Sequence, residues 1–284
     1  MVTITEDLNQ KHQEDLRRLR GFRLMDDDFF TKCFEGDTKC IQLVLRIILG
    51  IPDLEVVDVR TQVFVENLLN RSVRLDILAT DSTGRKINIE IQRSDKGAGH
   101  QRARFNSSMM DVNLLPKGDD FKDLPETWVV FITENDVMGY GLPLYQIERY
   151  ILPIGKTFND GSHILYVNGA YRDDTPIGKL MHDFCCADPE KMYYDVLAER
   201  VKFFKESKEG IAIMCKVMED MRYESLQQGI KQGIKQGTEQ GKKAEKKMTV
   251  LRMFEAGKYA LKEIAEISGL SLEEVQKLQT EQNI

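Results

Sequence analysis

The sequence predicts an α/β fold, with a core in the order α, β, β, β, α, β and a helical C-terminal extension. Three observations predict it. The stretch "GDTKCIQLVLRIILGIP" carries Ile41, Val44, Leu45, Ile48 and Leu49 at the spacing of one helix face, and Gly50 and Pro52 end it. Three β-type runs follow, "EVVDVRTQVFV", "VRLDILAT" and "KINIEIQ", and the last two flank "DSTGR", a turn-rich loop suited to a hairpin. After Gly97 and Gly99 comes the helix-like "HQRARFNSSMMDVNLL", then "TWVVFIT", a β-branched run of the kind that lies deep in a sheet.

With 284 residues and 42% hydrophobic content the chain has material for one sizeable core and an appendage. The expected division is a main domain over 1–222, a Gly/Gln/Lys repeat over 223–247 and a small helical module over 248–284. The first twenty residues are charged through "QKHQEDLRRLR", and no later run approaches the ~18 to 20 uncharged residues of a membrane span. A soluble, cytoplasmic protein without membrane contact is expected. Its five cysteines are odd in number and irregularly spaced, which suits reduced thiols rather than a disulfide framework. His182 near the adjacent Cys185 and Cys186 lacks the usual zinc spacing. A net charge of −6 gives no long-range attraction to nucleic acid, so any contact with DNA must be local.

Within the hairpin, alternation places Val73, Leu75, Ile77 and Ala79 on one side and Arg74, Asp76 and Leu78 on the other; Ile87, Ile89 and Ile91 likewise oppose Asn88, Glu90 and Gln92. If Asp81 to Arg85 form the loop, Thr80 pairs with Lys86, and continuing that register sets Asp76 across from Glu90. Like charges opposite each other in a sheet destabilise it. Two readings follow: both acids face solvent on an open sheet, or a divalent cation with oxygen ligands sits between them.

Asp76 followed by Glu90-Ile91-Gln92 on adjacent strands, in this element order, resembles the PD-(D/E)XK nuclease superfamily. "DDDFFTKCFEGD", "VRLDILATDSTGRKINIEIQR" and "LPETWVVFITENDVMGYGLPLYQIERYI" resemble in particular its transposase-associated branch, the PD-(D/E)XK nuclease family transposases. The resemblance implies a restriction-endonuclease-like fold with a mixed central sheet and a metal-dependent DNA endonuclease tied to mobile elements or recombination. Asp76 and Glu90 would hold Mg²⁺, or Mn²⁺, with the Ile91 carbonyl. Gln92 stands where the superfamily has lysine; its amide can orient water or a phosphate oxygen but cannot supply an ammonium charge. A catalytically inactive DNA- or protein-binding module that keeps the fold is the alternative. Asp28, Glu35 and Asp37 are candidates for a further acid, with Asp37 equally readable as a helix N-cap; Asp28, before "FF", matches the branch.

The island "RSDKGAGHQRAR" places Arg93, Lys96, Arg102 and Arg104 near the acids. It reads either as a phosphate-docking surface or as an ordinary solvated helix face. Farther on, Gly229, Gly233, Gly237 and Gly241 repeat every four residues, as a polar, weakly helical linker that self-associates or as a close helix contact. Ala265, Gly269 and Val275 have helix-turn-helix spacing around "SGLS", although Glu273 and Glu274 open its second helix and oppose phosphate.

Overall fold

The computed structural model describes residues 4–67, 71–93 and 95–281, with side chains from residue 10 onward except those of 95 and 96. Helices α1 (Ile4–Gly21), α2 (Asp27–Phe34) and α3 (Thr38–Leu49) lead into strands β1 (Val56–Val65), β2 (Val73–Asp81) and β3 (Lys86–Gln92). Helix α4 (His100–Leu114) then returns the chain to β4 (Thr127–Thr133). Short strands β5 (Leu144–Ile147), β6 (Tyr150–Ile151) and β7 (Lys156–Thr157) precede β8 (Ser162–Asn168), and α5 (Pro176–Cys185) and α6 (Asp195–Glu206) follow. The predicted core order is recovered as α3, β1, β2, β3, α4, β4.

Strand order in the main sheet is β1-β2-β3-β4-β8-β5. The β3–β4 and β4–β8 pairings are parallel and the rest antiparallel, so the sheet is mixed. Ile87, Ile89, Ile91, Val129, Val130, Phe131 and Ile132 are all buried, as central strands covered on both faces must be. Helix α4 packs on β4 and β8, and α3 on β1.

Local chemistry explains the helix ends that frame this sheet. Asp37 Oδ1 accepts the Cys40 N–H at 2.9 Å, which makes Asp37 the N-cap of α3. Gly50 closes the helix at φ 66°, a left-handed conformation that glycine adopts without penalty.

The chain divides into two compact units, Met1–Val217 and Met218–Ile284. Helix α7 (Lys208–Ala256) carries the glycine repeat, and a Cβ added at any of its four glycines would meet nothing within 4 Å. In the second unit α8 (Leu261–Ser268) and α9 (Leu272–Glu281) share a core of Val250, Met253, Ile264 and Val275, joined by Ala265. Gly269 makes the turn at φ 62°. Ser271 Oγ accepts the Glu274 N–H at 3.2 Å while Glu274 Oε2 accepts the Ser271 N–H at 2.9 Å. That capping box gives one of the acids opening α9 a folding role. Among the described residues no helix is long and apolar enough to cross a membrane.

Candidate active site

Thr80 pairs with Lys86, Ala79 with Ile87, Leu78 with Asn88 and Ile77 with Ile89, the register that a five-residue loop requires. One step further, Asp76 lies across from Glu90, and side chains take over the strand contacts. The Asp76 N–H donates to Glu90 Oε1 at 3.4 Å, and the Ile91 N–H donates to Asp76 Oδ2 at 3.2 Å. Each acid thus holds the backbone of the opposite strand. Neither faces solvent: Asp76 is 8% exposed and Glu90 0%.

Strand β2 departs from the alternation read in the sequence. Val73 and Leu75 pack on the same cluster as Leu78, together with Met110 and Phe131. Residues an odd number apart cannot share a face in a regular strand, so β2 changes face between Leu75 and Leu78. Leu75, Asp76 and Ile77 are buried in succession there. In β1, Thr61 pairs with Ile77 and Val63 with Leu75, which sets Gln62 across from Asp76. Gln62 has φ 52°, a left-handed conformation unfavourable for a side-chain-bearing residue, and its amide donates to Thr31 Oγ1 of α2 at 3.1 Å. Asp76 lies on this irregular stretch, bonded to β3 and within reach of the Asp27 charge of α2.

Electrostatics reinforce the geometry. Burial, then the Glu90 charge and the Asp27 charge, push the Asp76 carboxyl up to about 8 against the opposing Ile91 bond and Arg102. Burial also raises Glu90, although Arg102 Nη2 donates to its Oε2 at 2.7 Å and Asn88 Nδ2 to its Oε1 at 3.2 Å. Asn88 Oδ1, beside Glu90, is a buried acceptor without a hydrogen-bond partner.

Helix α2 carries both Asp27 and Asp28, the acid expected from sequence, and both are exposed. Asp27 acts on Asp76 and is itself raised, first by burial and then by Asp28. Asp26 has a separate task, pairing with Arg93 at 2.9 Å and Arg23 at 3.7 Å.

The basic island divides. Arg93 is bound to Asp26 and, at 3.4 Å, to Glu134, so two carboxylates already hold the guanidinium expected to meet DNA. The side chain of Lys96 lies outside the described residues. Arg102 caps Glu90, while Arg104 is exposed and has no ion pair among the described residues. Gln92 lies against Gly97, where a Cβ would fall 1.8 Å from Gln92 Oε1; only glycine permits that approach. Arg102 Nη1 donates to the Gly97 carbonyl at 3.2 Å, so amide, glycine and guanidinium form one cluster beside Glu90.

Two further arginines escaped the sequence reading. Arg71 and Arg74, at the entry to β2, line a cleft of about 710 Å³ with Arg102 and Arg104, and among the described residues no acid lines it. Their signal was "RSVR", distant in sequence from the island and joined to it only by the β2–α4 approach. His182 and Cys186 bond instead to Asp183 and to the Asp188 carbonyl.

A divalent cation fits this donor set. Among the described residues no three His, Cys, Asp or Glu cluster to hold a metal, so Asp76 and Glu90 supply two carboxylates. That is the number Mg²⁺ commonly takes from protein, keeping its other positions for water and phosphate. The mutual penalty between the buried acids and the orphaned Asn88 oxygen both favour a cation and its hydration shell there.

No curated protein and no solved structure matches the chain. A family match fits this geometry: PD-(D/E)XK nucleases typically use divalent metals, and their restriction-endonuclease-like fold accords with the mixed six-stranded sheet. Residues 35–168, which hold Glu90, Gln92 and the interlocked Asp76, match the family model described as PD-(D/E)XK nuclease family transposase.

Proposed function

We propose that the protein is a Mg²⁺- or Mn²⁺-dependent DNA endonuclease acting in mobile-element movement or DNA recombination in the cytoplasm. The observation that carries the reading is the enclosed pair Asp76 and Glu90, each bonded to the other's strand. In this reading Asp76, Glu90 and the Ile91 carbonyl hold the ion, and Asp27 adds negative charge from α2. Once bound, the ion lowers the pKa of a water and stabilises charge on the attacked phosphate. Gln92 orients that water or a phosphate oxygen through its amide. Arg71, Arg74, Arg102 and Arg104 dock the DNA backbone, a sequence-independent contact that salt weakens. The glycine-bearing part of α7 serves self-association.

Nicking of supercoiled plasmid with Mg²⁺ or Mn²⁺, abolished in both Asp76→Ala and Glu90→Ala, tests the proposal. Gln92, a neutral amide in the lysine position, favours a second reading, a non-catalytic DNA- or protein-binding module. Salt-sensitive DNA binding without cleavage under any divalent ion would decide for that one.

A further inference from the structure

A second cavity, of about 500 Å³, borders α4 and has no part in the assignments above. Its walls are His100 and Ala103 of α4, Ile164 and Tyr166 of β8, and Met138 and Ile147 from the segment between β4 and β8. The rings are fixed before any ligand arrives. Tyr166 stacks on Phe131 with centroids 5.4 Å apart, meets His100 edge-on at 6.0 Å, and donates its hydroxyl to the Ala98 carbonyl at 3.0 Å. Most polar groups at the cavity are already engaged: Arg149 with Asp160, Glu148 with His163 at 2.7 Å, and Ser162 with Ser107 at 2.9 Å. Arg104 alone among its charged residues has no ion pair among the described residues.

Gln101 and Arg104 line both this cavity and the arginine cleft. A chain of phosphates seated along Arg71, Arg74 and Arg102 therefore reaches the cavity mouth by crossing Arg104. A flat apolar ring attached to an anionic backbone complements an apolar, ring-walled cavity that opens beside arginines. We propose that the cavity takes one unpaired nucleobase, so that the bound DNA has an extrahelical or single-stranded nucleotide beside Arg104. An already unpaired base enters at the smallest unstacking cost, which makes substrate shape a source of selectivity. The inference rests on the DNA reading above and deepens it from substrate class to substrate structure.

The test uses the full chain in Ca²⁺ and anisotropy with three short labelled duplexes: fully paired, with one bulged adenine, and with an abasic bulge. The bulged adenine is expected to bind about tenfold tighter than the paired duplex, with the abasic bulge falling back to the paired value. Ile147→Trp, at a 39% exposed position that tolerates bulk, and Ile164→Phe fill the cavity and should erase the preference while paired-duplex affinity stays. Equal affinity for adenine and abasic bulges, or a preference surviving both variants, overturns the inference. Plasmid cleavage that needs Asp76 and Glu90 but shows no bulge preference removes this inference and leaves the nuclease reading standing. Absence of binding to every duplex overturns this inference along with the DNA reading.

Discussion

Arg102 of α4 reaches 2.7 Å from Glu90 of β3 and is the cation on a carboxylate that has no exposed surface. The same guanidinium bonds the Gly97 carbonyl, lies 5.9 Å from the Phe131 ring centroid and lines the arginine cleft. It joins the acid pair to the surface that would carry DNA. Arg102→Ala leaves Glu90 buried without its partner, a situation that destabilises more than the intact pair stabilises. Because the Arg102 side chain is 41% exposed and partly screened, the expected loss at neutral pH is about 1 to 2 kcal/mol in chemical denaturation. Arg102→Lys should recover part of it, since one ammonium replaces one of the two bonded guanidinium nitrogens.

Asp27 and Asp28 should separate in a metal titration. The Asp27 charge acts directly on Asp76, whereas that of Asp28 acts on Asp27. Asp27→Asn is expected to weaken Mn²⁺ binding about tenfold by calorimetry, the range of a supporting carboxylate, and Asp28→Asn markedly less. The reverse order would assign the supporting role to Asp28.

The legible part of this protein was set by short-range rules. Loop length fixed the β2–β3 register, so Asp76 and Glu90 could be paired from sequence, and helix periodicity with Asp37 and Gly50 delimited α3. Hidden from sequence was whatever depends on three-dimensional approach. The left-handed Gln62 has no sequence marker, so the change of face in β2 and the packing of Val73 and Leu75 beside Leu78 were missed. The ion pairs of Arg93 with Asp26 and Glu134, remote from it in the chain, likewise have no sequence marker.

Acid-pair titration gives a pH dependence with a definite sign. Asp76 ionises at about 8 in the folded chain and near the ordinary carboxylate value when unfolded, so between these values the native state holds a proton that the unfolded state has released. The contribution of this group to the stability of the metal-free protein is therefore fully present below about pH 4 and lost as pH rises toward 8, with a limiting slope of about 1.4 kcal/mol per pH unit. Asp76→Asn should flatten that decline in melts run with EDTA. Metal competes with the same proton, so Mn²⁺ affinity should rise with pH up to about 8 and then level off.

Gly97 and Gln92 offer a test of whether the amide in the lysine position takes part in chemistry. A methyl on Gly97 would meet Gln92 Oε1 at 1.8 Å, the far end of a flexible side chain, so Gly97→Ala should fold with little change in melting temperature while the amide is driven from its place. If Gln92 orients the reacting water or phosphate, Gly97→Ala and Gln92→Ala should slow plasmid cleavage by similar factors, on the order of 10- to 100-fold. The double variant should then be no slower than either alone, because the second change removes nothing further. Multiplicative losses would mean that Gly97 acts through Arg102, which bonds its carbonyl, and would leave Gln92 without the orienting role.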